Sequence, residues 1–371
     1  MGQLSDEAQA KLKKQQYELV GNHSAVKTCE WTKNMIRGKG ECYKHWFYGI
    51  NSNQCLQMTT SLTCANQCMF CWREYKLASK KWPIKDSQTD NPDFIINESI
   101  KSHDKLLTGF KGNTNPNPDK EPYNKSKTIK HAALSLIGES ILYPKINEII
   151  NEFHKKGIST FLVTNAQYPE QIKSLAPVTQ LYISLDAPTQ ELIKKIDKPI
   201  FKDYWQRLNQ SLEIMSKKKQ RTCIRLTLIK YVNMSEDLCE NYSNLIKKAS
   251  PDFIEVKAYM SVGASLKNFK YKNMPTSKEI MQFSQKLIKY LKDYEIVSEH
   301  YASRVVMLAK KKFKKDINGE PVWHTWIDFD KFNKLVNSKS NNNKNNKEFT
   351  TEDYLKETPE RFLVKNINLS I

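Results

Sequence analysis

The sequence predicts an α/β protein in which six strand–helix units build a partial (β/α)6 barrel. From residue 131 onward, short apolar runs alternate with longer amphipathic runs. That alternation is the pattern of a parallel sheet wrapped by helices. A further apolar run at 56–63 stands ahead of them. In chain order, strands are expected at 56–63, 131–138, 159–165, 180–186, 222–230 and 252–260. Helices are expected at 7–20, 145–156, 168–175, 189–218, 235–249 and 277–293, with Gly157 placed to cap the second of these. Ligand sites of such sheets sit at the C-terminal ends of the strands.

The length, 371 residues, suits one large α/β domain or two smaller ones. A hydrophobic fraction of 39% with 11% aromatics excludes wholesale disorder. No apolar run reaches membrane-spanning length, and the first twenty residues lack the apolar core of a signal peptide. A soluble, cytoplasmic, monomeric protein with no membrane partner is therefore expected. Lys and Arg number 59 against 40 Asp and Glu, a net charge of +19. That excess points to a polyanion, most simply nucleic acid, with a Lys/Asn composition bias as the alternative. The expected organisation is a helix and Cys-rich segment at 1–55, the barrel at 56–310 and a C-terminal extension at 311–371. Residues 111–127 read as a polar loop, and 337–347 (NSKSNNNKNNK) as a low-complexity, disordered stretch.

Six of the eight cysteines fall between residues 29 and 71. Without an export signal, such a cluster suggests metal before disulfides. Cys64, Cys68 and Cys71 have the spacing Cx3Cx2C just after an expected strand. Three thiolates from one loop suit an iron–sulfur cube and leave one iron open, whereas a structural zinc needs a fourth ligand that this loop lacks. Cys29, Cys42 and Cys55 have the spacing Cx12Cx12C, too wide for one loop. They read as a second [4Fe–4S] site brought together by the fold, with zinc or three buried cysteines as alternatives.

The Cx3Cx2C loop, its aromatic Phe70 and the strand–helix array behind it resemble the radical S-adenosylmethionine (SAM) superfamily. The resemblance implies a cluster on Cys64, Cys68 and Cys71 with SAM at its open iron. It gives Phe70 to the adenine, and Glu139 of the turn 138–140 (Gly-Glu-Ser) to the methionine ammonium. Ile137 stands where the superfamily often has a first glycine. Ser140, Asn165, Ser184, Asp186 and Arg225 lie at or near strand ends, where the superfamily contacts the ribose and carboxylate of SAM.

The stretches KTCEWTKNMIRGKGECYKHWFYG, SLIGESILYP, FLVTNAQ, YISLDAP, FIEVKAYMSVG and WHTWIDFDKF are similar to the 4-demethylwyosine synthases of the wybutosine pathway. The similarity covers roughly residues 17–335. It implies condensation of pyruvate with N1-methylguanosine-37 beside the anticodon of phenylalanine tRNA, giving the tricyclic base 4-demethylwyosine. An unactivated methyl C–H calls for a radical initiator, which the cofactor supplies. The second cluster would chelate pyruvate, and Lys44, two residues after Cys42, would form a Schiff base with pyruvate or with the new ring's carbonyl. Many eukaryotic members carry a flavodoxin-like domain. With about 20 residues ahead of the match, that domain is expected to be absent and a flavodoxin- or ferredoxin-like protein to donate electrons. Lys33, Arg37, Lys39, Arg73 and Lys76 are candidates for RNA phosphates. Trp31, Trp46 and Trp72 can stack on bases or pack the Cys-rich segment, and His324 and Trp326 are structural or near the substrate. The alternatives are another dual-cluster radical SAM enzyme or a zinc-stapled RNA-binding module.

Overall fold

The computed structural model describes residues 4–73, 77–110, 121–338 and 348–364, with 77 and 78 described by backbone alone. Its main sheet has ten strands. They are β1 (Glu18–Val20), β2 (Ser24–Val26), β3 (Cys55–Thr59), β4 (His131–Leu134), β5 (Ser159–Thr164), β6 (Gln180–Ser184), β7 (Thr222–Leu228), β8 (Phe253–Ala258), β9 (Tyr294–His300) and β10 (Val305–Lys310). Strands β3 to β8 are parallel, each beside the next in sequence. These are the six expected strands, each ending between one and four residues earlier than the apolar run suggests. The sheet continues antiparallel at both ends, through β2 and β1 on one side and β10 and β9 on the other.

The helices are α1 (Asp6–Lys14), α2 (Glu30–Ile36), α3 (Tyr43–Tyr48), α4 (Pro92–Leu107), α5 (Glu121–Ser126), α6 (Ile146–Lys155), α7 (Pro169–Ser174), α8 (Gln190–Asp197), α9 (Tyr204–Met215), α10 (Cys239–Ala249), α11 (Ser277–Ile288) and α12 (Phe329–Ser338). Two expectations change. The helix read over 7–20 stops at Lys14, because Gln16 takes a left-handed φ of 63° and the chain turns into β1. The helices expected over 189–218 are two, α8 and α9, divided after Lys198 at φ 45°. Residues 121–126 of the expected polar loop are helical, and 111–120 lie outside the described residues. The low-complexity stretch also lies outside them, apart from Asn337 and Ser338 at the end of α12.

Period-two alternation sorts the strand residues onto two faces. Leu56, Leu134, Leu162, Ile183, Leu226 and Ile254 face outward into a core shared with α6, α8, α9, α10 and α11. Phe161, Tyr182, Cys223 and Phe253 face inward. There they meet Tyr43, Phe47 and Tyr48 of α3, together with Trp323, Phe332, Phe349 and Tyr354 of the C-terminal extension. The Cys-rich segment and the extension therefore share one apolar plug inside the barrel. Each side chain fully buried in it contributes about 1.5–3 kcal/mol. Among the described residues, no helix is long and apolar enough to cross a membrane.

Candidate functional site

Cys64, Cys68 and Cys71 lie on the loop after β3. The loop rests on the segment following α8: Gln67 N donates to Asp197 O (2.9 Å), Met69 N to Ile196 O (2.8 Å) and Ile200 N to Ala65 O (2.9 Å). The left-handed turn at Lys198 thus seats the cysteine loop. None of the six N-terminal cysteines forms a disulfide, and all are partly buried. Burial pushes the Cys64 thiol up to about 12, with Glu139 and Cys71 adding to the rise. Cys68 is raised well above its ordinary value by burial, then by Asp197, Asp186 and its two partner cysteines. Three thiols therefore share one electrostatic neighbourhood.

Across that neighbourhood lies Glu139, pushed up to about 7 by burial. Its Oε2 accepts from Asn165 N (3.0 Å), and its Oε1 is buried with no partner. Gly138 makes the turn possible. It sits at φ +69°, and a Cβ there would lie 2.1 Å from the Ser61 carbonyl oxygen. The close approach therefore rests on this glycine, and Ile137 ahead of it is accommodated in the core. Asn165 Nδ2 donates to Cys64 Sγ at 3.4 Å. Asp186 is buried and pushed up to about 6, again by burial, with Oδ1 unpartnered. Ser184 closes β6 beside Arg225, and Phe70 packs its ring partly on the outer core. The Ser140 hydroxyl is engaged by the end of β3, 3.1 Å from Thr59 Oγ1.

The fold brings Cys29, Cys42 and Cys55 together from three elements. Cys29 and Cys42 are the N-cap residues of α2 and α3, and Cys55 opens β3. Burial pushes the Cys42 and Cys55 thiols up to about 12; Cys29 raises both further and Lys44 lowers both. Lys44 projects from the first turn of α3 into the barrel. Its Nζ lies 5.0 Å from the Tyr182 ring centroid and 5.6 Å from that of Phe161.

Two inward-facing residues of β8, Glu255 and Lys257, escape the sequence reading. Glu255 is fully buried and accepts from Arg225 Nε (2.8 Å), Tyr43 OH (3.1 Å) and Tyr48 OH (3.0 Å). Lys257 is pushed down to about 8 by burial and by Arg225, while Glu255 and Cys42 pull the other way. Arg225 keeps Nη2 without a partner and lies 4.6 Å from the Tyr182 ring. The signal was present in FIEVKA, where charge recurs at every second position of a strand otherwise apolar. A chain of buried polar groups, Asp197, Asp186, Arg225, Glu255 and Lys257, thus runs between the two cysteine triads. A groove of about 920 Å³ between α4 and α6 lies outside the barrel, away from these groups.

Most residues expected to touch RNA are engaged by the protein instead. Arg73 Nη2 donates to Ser135 O (2.7 Å) and its guanidinium covers Trp72 at 4.6 Å. Lys33 and Arg37 face Glu30 at 3.6 and 4.0 Å. Trp31 and Trp46 pack edge-on against His300. Lys39 is exposed, and Lys76 lies outside the described residues. His324 Nδ1 lies 3.0 Å from Val322 O, while Trp326 donates to Trp46 O (3.0 Å) and stacks on Phe362.

The unpartnered oxygens of Glu139, Asp186 and Asp197 beside a thiol triad suit a polar, partly cationic ligand, and each triad supplies three soft donors. Among the described residues, no group of three or more His, Cys, Asp and Glu side chains is placed to hold a single metal ion. A thiolate loop over the mouth of a six-stranded partial barrel is the architecture of the radical SAM superfamily, whose family model matches residues 58–240. A second family model, described as wyosine base formation, matches residues 248–310.

The chain is 46% identical over 95% of its length to the S-adenosyl-L-methionine-dependent tRNA 4-demethylwyosine synthase TYW1 of Xenopus laevis, covering 46% of that protein. With the protein of the same name from Homo sapiens the identity is 44% over 94% of this chain and 46% of the relative. With the Saccharomyces cerevisiae synthase it is 42% over 96% of this chain and 43% of the relative. The chain thus spans about half the length of the curated relatives it matches. A solved structure of TYW1 with a lysine-pyruvate adduct bound superposes with TM-score 0.74 at 33% identity, over 85% of this chain and 99% of that one. An archaeal TYW1 structure gives TM-score 0.67 at 30% identity over the same shares. The chain belongs to the 4-demethylwyosine synthase family.

Proposed function

We propose that this protein makes 4-demethylwyosine from N1-methylguanosine-37 of phenylalanine tRNA and pyruvate. The observation that carries the reading is the placement of Lys44. Its charge acts on all three of Cys29, Cys42 and Cys55, and it projects into the barrel toward the rings of Tyr182 and Phe161. A lysine-pyruvate adduct in a relative of the same fold supports the same assignment.

Cys64, Cys68 and Cys71 would hold one [4Fe–4S] cluster with SAM, and Cys29, Cys42 and Cys55 a second. When bound, these groups supply the one-electron chemistry that activates a methyl C–H bond. Glu139 Oε1 and Asp186 Oδ1, both buried without a partner, would accept from the ammonium and hydroxyl donors of SAM. The free amine of Lys44 attacks C2 of pyruvate, and loss of water leaves a protonated imine. Lys257 and the free Nη2 of Arg225 offer positive charge to a carboxylate inside the barrel. Glu255, held by the hydroxyls of Tyr43 and Tyr48, fixes the Arg225 guanidinium through its Nε. An external flavodoxin- or ferredoxin-like donor supplies electrons.

The test is anaerobic reconstitution, with an iron and sulfide count, followed by incubation with SAM, dithionite, pyruvate and tRNA bearing N1-methylguanosine-37. Two cubes correspond to about eight irons per chain. Mass analysis of the nucleosides should show the tricyclic base. Its absence with both clusters loaded would overturn the substrate assignment, and stoichiometric zinc in a colourless protein would overturn the cluster assignment.

A further inference from the structure

Eight large hydrophobic side chains are exposed among the described residues, and five of them lie on three neighbouring loops. Tyr231 follows β7, Val262, Leu266 and Tyr271 follow β8, and Tyr301 turns β9 into β10. All three loops lie at the C-terminal ends of the parallel strands, the end that carries the Cys64–Cys71 loop. The three tyrosines are 76%, 71% and 78% exposed, far beyond what packing requires of a ring.

The rings stand on one rigid base. Lys230 N donates to Asn273 O (2.9 Å) and Asn273 Nδ2 donates back to Lys230 O (3.1 Å), joining the loops of Tyr231 and Tyr271. Ser277 Oγ donates to Tyr301 O (2.8 Å) and Arg304 Nη1 to Pro275 O (3.0 Å), joining the third. Tyr231 is held at φ 68°, a left-handed conformation that a bulky aromatic avoids, while Asn233 ties its loop to Ile229 and Asp186. The base also rests on the cysteine loop: Ala264 N donates to Trp72 O (2.9 Å) and Asn268 Nδ2 to Met69 O (2.8 Å). Residues 257–278 contain five lysines and no acidic residue, and Lys267, Lys270, Lys272 and Lys278 of these are exposed.

We propose that Tyr231, Tyr271 and Tyr301, with Lys267, Lys270 and Lys272, form the platform that receives the unpaired bases and phosphates of an RNA loop. The proposal rests on the reading of an RNA substrate given above and names the surface that binds it. Exposed rings on neighbouring loops with exposed lysines match a single strand, whose bases each offer a face to stack on and whose backbone needs cations. Modified bases must leave their stack to reach a buried site, and a platform fixed to the cysteine loop holds the neighbours as they do.

The test uses reconstituted full-length protein and a fluorescent RNA hairpin with an anticodon-type loop, followed by anisotropy. Each of Tyr231→Ala, Tyr271→Ala and Tyr301→Ala should weaken binding roughly five- to a hundredfold. Replacement by Trp, which keeps a stacking face, should restore it. Replacing Lys267, Lys270 and Lys272 together by Ala should lower the slope of log affinity against log salt by about two. Lys331→Ala with Lys334→Ala, on α12, should change neither. Binding of the triple tyrosine variant within twofold of the unaltered protein would overturn the platform. So would loss of affinity for a reduced flavodoxin with RNA affinity intact, which would make this surface the reductant's. If the rings bind RNA but no tricyclic base forms, the platform stands and the assigned reaction falls. If no RNA binds at all, both fall.

Discussion

Among the described lysines, Lys44 stands out by what surrounds it: three cysteines on one side and the rings of Tyr182 and Phe161 on the other. Lys44→Gln keeps a polar side chain, one atom shorter, and removes the nucleophile. It should abolish tricyclic base formation while clusters still load to about eight irons. Reduction with borohydride in the presence of pyruvate should add the mass of one reduced pyruvate to the unaltered protein and nothing to the variant. Glu255 works differently, by satisfying Arg225 inside the barrel. Breaking a buried pair by removing one charge leaves the other uncompensated, at a cost of about 3–5 kcal/mol. Glu255→Gln should therefore lower the denaturation free energy by about 3 kcal/mol, measured by urea titration. A loss below about 1 kcal/mol would show that Arg225 finds another partner. At this scale the cysteines stood out because their identity and spacing carry the chemistry, while Glu139 and Lys44 were singled out only through the family resemblance. Glu255 and Lys257 were not singled out, because their meaning depends on which face of β8 points inward.

The short helix α3 shows what elements contribute. Six residues cannot hold a helix alone in water, yet α3 carries Cys42 and Lys44. Gly49 ends it at φ 78°, and the Trp326 ring lies where a Cβ on Gly49 would be, at 2.8 Å. Trp326 donates to Trp46 O, and Thr325 Oγ1 donates to Phe47 O (2.8 Å). The C-terminal extension is thus the clamp that seats the lysine-bearing helix. Trp326→Ala should reduce loaded iron from about eight to about four per chain while SAM cleavage stays measurable. Full loading in the variant would show that α3 is seated by its other contacts. The sequence reading found the strands of the barrel, because each has its own apolar run. It left the Cys-rich segment without elements, because helices of seven and six residues show too few turns for a period to appear.

Across the whole molecule, one plug unites both ends of the chain, so cluster site, barrel and extension are expected to unfold together. Buried histidines make that unfolding acid-sensitive. His154 packs on Phe332 of α12 with Nε2 at 2.8 Å from Thr160 Oγ1, and burial pushes it down to about 3. His103 on α4 is pushed down to about 4 by burial. Both values lie below the ordinary 6.5, so unfolding takes up protons. Their contribution is complete above about pH 6.5 and falls as pH drops toward 4. The midpoint of thermal unfolding should drop across that window, and His154→Gln should flatten the fall. An equally steep fall in the variant would assign the acid sensitivity elsewhere.

By itself, the sequence determined the α/β class, the order of the six parallel strands, and the two cysteine triplets, with Lys44 inside the first. These are local properties, written in residue type, spacing and period. Only the tertiary structure decided that Cys29, Cys42 and Cys55 converge, that Arg73 and the three tryptophans are engaged within the protein, and that Glu255 and Lys257 line the interior. The physical reason is that convergence and burial depend on which distant segments pack together. The apolar plug, drawn from both ends of the chain, makes that choice, and no local window of residues records it.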